Sequence, residues 1–191
     1  QLTDIAQHDV RRIDRLVSEI SDASRVDAEL SRAVFDPVDL GELLGGLLQA
    51  RENRNENGNC KVVLRQTGAR PASIMGVPIR LEMVLDNLLD NAVSFSPEGG
   101  EIDVLLQNIE EHVSVAICDQ GPGIPAGERE SIFNRFHSVR PEGEDFGRHS
   151  GLGLAIARSI AEAHDGSLSA HDRPDGEPGA CFILDLPALD N

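Results

Sequence analysis

The chain has 191 residues, 40% of them hydrophobic and only 3% aromatic, and carries a formal net charge of -16. That length holds one substantial core plus an extension, because a domain of about 150 residues already buries most of its surface. The acidic balance argues against nucleic-acid binding, which needs a clustered basic face to neutralise phosphates.

No apolar run approaches the roughly 18 residues of a membrane helix, and the start is not signal-like, so neither a span nor export is expected. Cys60, Cys118 and Cys181 are odd in number, far apart and without a Cys-x-x-Cys spacing. Neither a disulfide framework nor a zinc site is expected from them, and a reducing cytoplasm is the expected compartment. Of the 17 basic residues all but Lys61 are arginine, so a cationic contact to phosphate would come from arginine, whose planar fork suits that geometry.

In chain order, Leu2, Ala6, Ile13, Leu16, Ile20 and Ala23 follow three-four spacing and predict a long amphipathic helix over residues 1–33 that packs on partner helices. The alternative is an exposed helix lying on the same domain. Because Gln1 falls inside this pattern, the chain reads as a piece of a longer protein. A short strand at 35–40, a helix at 41–55 and strands at 61–66 and 73–75 follow. The next helix starts at Pro78, a residue suited to a first helical turn, and ends before Ser96-Pro97-Glu98-Gly99-Gly100.

On that helix Leu81, Val84, Leu85, Leu88, Leu89 and Ala92 form a core-facing stripe. Asn87 and Asn91 sit one turn apart at its edge. Asparagine is a mediocre helix former whose amide competes for backbone hydrogen bonds, so two of them cost stability unless their oxygens are used. A hard cation or a polyphosphate would use them; the bland alternative is surface polarity.

Strands are expected at 101–107 and 112–119. Val113, Val115 and Ile117 alternate inward, and Asp119 continues that phase. A buried carboxylate needs donors on its oxygens. The exocyclic amine of adenine is such a donor, whereas guanine presents an acceptor at the same edge. Gly121 and Gly123 then permit close approach of backbone to a ligand. The bland reading of Asp119 is a turn former before Gly-Pro-Gly. After a charged, glycine-rich stretch without periodicity, Ser150-Gly151-Leu152-Gly153-Leu154 opens a helix running to about His164, whose free N–H groups would form a phosphate seat. Strands at 166–172 and 180–186 complete a two-layer α/β sandwich, a mixed sheet with helices on one face.

With Asn87 and Asn91, Asp119-Gln120-Gly121-Pro122-Gly123, Phe133-Asn134-Arg135-Phe136 and Gly151-Leu152-Gly153-Leu154 in this order, the chain resembles the ATP-binding domain of sensor histidine kinases over residues 35–187 and in the preceding helix. The resemblance implies an α+β fold of the Bergerat (GHKL) type, with ATP and Mg²⁺ as cofactors. It makes Asn91 the Mg²⁺ ligand and Asn87 the catalytic residue beside the phosphates. Ser94, Phe95, Asp119, Gly121, Gly123, Ile124, Phe136, Arg148, His149, Ser150, Gly151, Leu152, Gly153 and Leu154 complete the implied nucleotide site, and residues 137–150 form its lid. Phe133 and Phe136 read equally as anchors of that lid. Residues 1–33 are implied to be the second helix of the dimerisation and phosphotransfer hairpin, and 34–191 the catalytic domain. A response regulator, the protein's own acceptor hairpin and a second copy in a homodimer are the implied partners, with membrane contact only through segments upstream of Gln1. Phe136-His137-Ser138-Val139-Arg140-Pro141 is similar to an alphaproteobacterial envelope-sensing branch of the family.

The chain departs from the family pattern in places. Ser94 stands where many relatives carry lysine, with Arg148 the expected substitute. Ser138 replaces a lid arginine, His149 occupies a position that is often small, and Arg140 reads as a solvated lid residue. His8-Asp9-Val10-Arg11 copies the start of a phosphoacceptor box, but Arg12 and Ile13 stand where proline and a polar residue belong. Only one helix fits between His8 and Phe35, so His8 is expected to be a surface histidine and the acceptor to lie outside this chain. Two other readings stay open. One is an ATPase like gyrase, Hsp90 or mismatch-repair proteins, or an anti-sigma-type serine kinase, although hydrolytic members need a carboxylate where Asn87 stands. The other is a degenerate nucleotide-binding docking module.

Overall fold

The structure, a computed structural model, describes residues 33–68, 71–109, 111–137 and 151–189. The helix expected over 1–33 (with His8) and the lid positions Ser138, Arg140, Arg148, His149 and Ser150 lie outside the described residues, save Ala33 and His137 at their edges. The elements are β1 (Asp36–Asp39), α1 (Leu40–Asn53), β2 (Lys61–Thr67), β3 (Ser73–Gly76), α2 (Pro78–Phe95), β4 (Glu101–Ile109) and β5 (His112–Cys118). A 3-10 turn (Ser131–Phe133), α3 (Gly153–Ala163), β6 (Ser167–Asp172) and β7 (Ala180–Pro187) follow.

Local chemistry accounts for the helix starts. Asp39 caps α1, its Oδ1 accepting from the backbone N–H of Gly41 at 2.8 Å and of Glu42 at 3.1 Å, which satisfies two donors that a helix end leaves orphaned. At α2 the first-turn proline removes one such donor, and the side chain of Val77, at the N-cap, makes no cap bond. All six residues of the expected apolar stripe on α2 are buried.

Five strands form the main sheet in the order β2-β4-β5-β7-β6, and β1 pairs with β3 in a separate two-stranded sheet. Only β2 and β4 run parallel; the other neighbours are antiparallel. Ile102, Val104 and Leu106 of β4, Val113, Val115 and Ile117 of β5, and Phe182, Leu184 and Leu186 of β7 turn one way into the core shared with the helices. The result is the expected mixed-sheet sandwich. The two-stranded sheet was not separable in the sequence because β1 and β3 are four residues each, too short for alternation to reveal pairing.

Three charged or polar residues are buried among the described residues: Arg51, His164 and, at the end of β5, Asp119. Arg51 of α1, 1% exposed, pairs with Asp86 and, at 2.8 Å, with Asp90 of α2, and donates from Nε to Asn57 at 3.0 Å. His164, at the end of α3, is likewise buried.

The cysteines correct the sequence reading. Cys118 and Cys181 are joined by a disulfide, their Cα atoms 4.0 Å apart and their positions directly opposed on β5 and β7. Spacing could not show this, because antiparallel register rather than sequence distance brings together residues 63 apart. Cys60 is free.

Candidate functional site

At the end of β5 the chain turns sharply at Asp119, which is 1% exposed. Its Oδ1 accepts the backbone N–H groups of Gly121 at 2.8 Å and Ala180 at 3.1 Å. In return Asp119 N–H donates to the carbonyl of Ala180 at 2.9 Å, and Arg173 Nη1 donates to the carbonyl of Asp119 at 3.0 Å. Burial pushes the carboxyl above its ordinary value, and the two backbone N–H groups and Arg173 pull the other way. A carboxylate held this way is oriented before any ligand arrives.

The glycines around it are tightly enclosed. A Cβ on Gly121 would lie 2.7 Å from the carbonyl oxygen of Phe95 and 2.9 Å from Asp119 Oδ1. Gly123 has φ +80° and faces the carbonyl of Gly179. The C-terminal end of α2 is therefore pressed against the turn after β5. Ile124 packs partly buried against the core.

One and two turns back along α2, Asn91 and Asn87 are half-buried. Asn87 faces the start of α3, where a Cβ on Gly153 would sit 3.1 Å from its Oδ1. Its Nδ2 is buried without a hydrogen-bond partner. An unpaired buried donor costs about 1–3 kcal/mol, so an acceptor supplied by a ligand would recover that energy. Leu152, the residue at the start of α3, makes no side-chain cap, and the first-turn N–H groups of a helix are those that suit an anion. Ser96 Oγ, at the end of α2, is the other buried unpartnered atom among the described residues.

Phe136 N–H donates to the carbonyl of Gly151 at 3.0 Å, so the two edges of the expected lid meet. Gly151 has φ +72°, and a Cβ there would press on the His137 carbonyl at 2.8 Å. Phe133 is buried in a T-shaped contact with Phe182, with ring centroids 6.3 Å apart, and the Arg158 guanidinium lies over the Phe133 ring at 5.1 Å. Phe136 is instead 66% exposed with φ +64°. Of the two candidate anchors, only Phe133 is embedded in the core.

Thus α2 reaches both Asp119-Gly121 and Gly153, while Ser94 and Phe95 occupy its last turn. Ala180, Gly179 and Arg173 escaped the sequence reading. Pro178-Gly179 was the only local signal, and it marks a turn without saying what lies across it. Among the described residues no group of three or more His, Cys, Asp or Glu side chains could hold a metal ion.

This α/β sandwich, with a buried carboxylate after β5 and an asparagine facing a glycine-opened helix, defines a nucleotide-binding class of architecture. Residues 76–190 match the family model of histidine kinase-, DNA gyrase B-, and HSP90-like ATPases, and the chain belongs to that family. The sensor protein ChvG of Rhizobium meliloti is 48% identical over 199 residues, covering 98% of this chain and 34% of its own. The solved mycobacterial sensor histidine kinase MprB superposes with a TM-score of 0.69 at 33% identity, over 83% of this chain and all of that one. Full-length ShkA, solved in complex with AMPPNP, does so with a TM-score of 0.69 at 27% identity, over 93% of this chain and 37% of that one. The chain spans about a third of the length of the curated relatives it matches.

Proposed function

We propose that this chain is the ATP-binding catalytic part of a two-component sensor histidine kinase, acting on the cytoplasmic side of a membrane-anchored parent. The observation that carries the reading is Asp119: a buried carboxylate whose two backbone donors both engage Oδ1, which leaves Oδ2 to accept from the amine of adenine. Guanine would oppose its carbonyl oxygen to the same carboxylate. Gly121 and Gly123 let the chain close tightly behind the carboxylate, against the Phe95 and Gly179 carbonyls, and Phe95, Ser94 and Ile124 complete that end of the site.

Asn87 serves the phosphate end. Its orphaned Nδ2 suits a phosphate oxygen, and the uncapped start of α3 with Gly151, Leu152, Gly153 and Leu154 adds N–H groups. Asn91 offers an amide oxygen, a hard ligand suited to Mg²⁺, which retains waters and bridges to phosphate when bound. Arg148, His149 and Ser150, with Phe136 at the hinge, belong to the proposed lid over residues 137–150.

Phosphoryl transfer asks mainly for positioning and charge neutralisation. The nucleophile is the imidazole of an acceptor histidine outside this chain, on the protein's own helical hairpin, and the phosphoryl group passes on to an aspartate of a response regulator. Residues 1–33 would be the second helix of that hairpin, in a homodimer. AMPPNP bound by the similar ShkA supports the nucleotide class. No carboxylate stands at Asn87 to activate water, which disfavours the hydrolytic alternative.

Calorimetry with Mg-ATP and Mg-GTP tests the site: ATP should bind and GTP should not. Labelled ATP with a separately supplied acceptor hairpin tests the reaction, with label expected on that hairpin's histidine. Binding without transfer to any hairpin would favour the docking-module reading.

A further inference from the structure

The sulfur bridge lies one residue from the proposed purine contact on both strands. Cys118 precedes Asp119, and Cys181 follows Ala180, whose N–H and carbonyl both bond Asp119. Directly opposed residues of neighbouring strands project from the same face. The register therefore places Asp103, Cys118, Cys181 and His171 in one transverse row across β4, β5, β7 and β6. Cys118 shares its phase with Ser114 and Ala116, and Cys181 with Ile183 and Asp185, so the row lies on the face turned away from the helices.

We propose that Cys118 and Cys181 form a reversible dithiol–disulfide couple whose state sets the affinity of the nucleotide pocket. The proposal rests on the ATP reading above. In a reducing compartment a disulfide is characteristically a transient or sensing one, and this one has a local route to exchange. His171, opposite Cys181 in the register, is exposed and its Nε2 bonds Ser169 Oγ at 2.9 Å; an imidazolium brought to a thiol favours the thiolate that attacks. Asp103, opposite Cys118, would disfavour it, but its charge is offset by Arg65. With His171 in the opposed position, Cys181 is assigned as the attacking sulfur. Both cysteines are buried, at 8% and 3% exposure, and both stand at the last pair of the β5–β7 ladder, beyond which the Asp119–Ala180 bonds close the edge, so local opening of those bonds gives access.

The oxidant is a low-molecular-weight disulfide such as oxidised glutathione. The Cys181 thiolate attacks one of its sulfurs, the external S–S bond breaks, and one thiol leaves. Cys118 then attacks the mixed disulfide, forming the internal S–S bond and releasing the second thiol. The two protons lost by the cysteines end on the two released thiols, and reduction runs the same steps backwards. The closed bridge holds β5 and β7 together under the Asp119–Ala180 bonds, so the carboxylate is preorganised; opening it returns freedom that binding must then remove.

The test equilibrates the full chain at several ratios of oxidised to reduced glutathione, counts thiols by alkylation and mass spectrometry, and measures Mg-ATP affinity by calorimetry. The expected result is a shift from three alkylated cysteines to Cys60 alone, with the oxidised form binding ATP about fivefold tighter, the lower end of typical coupling between linked sites. The double variant Cys118→Ser/Cys181→Ser should bind like the reduced form at every ratio, and Cys60→Ser should keep the response. A pair that ignores the glutathione ratio, or one that switches with unchanged affinity, overturns the proposal even if the double variant does not fold. Equal binding by both forms defeats this coupling alone, whereas binding by neither defeats the ATP reading with it.

Discussion

His164 Nε2 accepts the backbone N–H of Val77 at 3.1 Å while Nδ1 donates to the carbonyl of Ile160 at 2.7 Å. One neutral imidazole thereby joins the end of α3 to the uncapped start of α2, and its ring lies 4.9 Å from that of Phe35. A proton on Nε2 would face the Val77 N–H. Burial lowers the pKa of His164 below its ordinary 6.5, although Ile160 and Asp165 pull upward. The unfolded chain therefore takes up this proton first, so stability is complete above pH 6.5 and falls as pH drops toward the folded value, by about 1.4 kcal/mol per pH unit inside that window. Urea melts from pH 7.5 to 5 should show this fall, and His164→Gln should flatten it. Parallel slopes for the two proteins would refute the neutral bridge.

Asp119→Asn should separate folding from binding. The amide can still accept from Gly121 and Ala180, so the turn is retained. Because burial raises the native pKa above 3.8, the carboxyl contributes stability that is present below pH 3.8 and lost as pH rises through the native value. At neutral pH the charged form is thus a liability that the amide removes. The variant should melt at the same or a higher temperature than the parent at pH 7. Its ATP affinity should fall about 30-fold, since a hydrogen bond to a charged group is worth about 2 kcal/mol. Retained affinity would remove Asp119 from the adenine site.

What the sequence shows and hides divides along one line. The stripe from Leu81 to Ala92 and the inward phase of Val113, Val115, Ile117 and Asp119 are periodic along the chain, so the helix, the strand and the buried carboxylate were all legible. The donors to that carboxylate were legible only in part. Gly121 is two residues away and was visible, whereas Ala180 is 61 residues away and becomes a neighbour only through β5–β7 register. The Cys118–Cys181 pair was hidden for the same reason, and the His164–Val77 bond because only the packing of α3 on α2 brings together residues 87 apart. Arg51 was hidden by a different one: a lone arginine near a helix end reads as surface charge until two carboxylates on another helix are seen to face it.

Gly179→Ala should damage the site from behind. Gly179 has φ +144°, and an added Cβ would sit 2.1 Å from the carbonyl oxygen of Asp119 and 2.5 Å from Arg173 Cδ. The first of these is backbone and cannot swing aside. Strain of this kind costs about 2–3 kcal/mol, and the relieving movement displaces Asp119 together with its bond from Arg173. Denaturant titration should show that loss, along with weakened ATP binding. A variant of parental stability would mean that the turn between β6 and β7 is looser than its contacts with Asp119 require.

Arg51→Ala should loosen the helix that carries both asparagines. Asp86 and Asp90 each immediately precede one of them, and both are tied to the buried guanidinium. Removing one partner of a fully buried ion pair costs about 3–5 kcal/mol. Here the carboxylates are 43% and 54% exposed, so water takes over much of their solvation and about 2 kcal/mol is the expected loss. Because the guanidinium itself is shielded, salt should screen this contribution less than a surface pair. The loss should therefore persist at high ionic strength, whereas neutralising the exposed Lys61–Glu101 pair should change stability little. Arg51→Met, which keeps the packed stem without the charge, should recover part of the loss. If Arg51→Ala melts like the parent, the clamp on α2 contributes nothing and the placement of Asn87 and Asn91 must come from the apolar stripe alone.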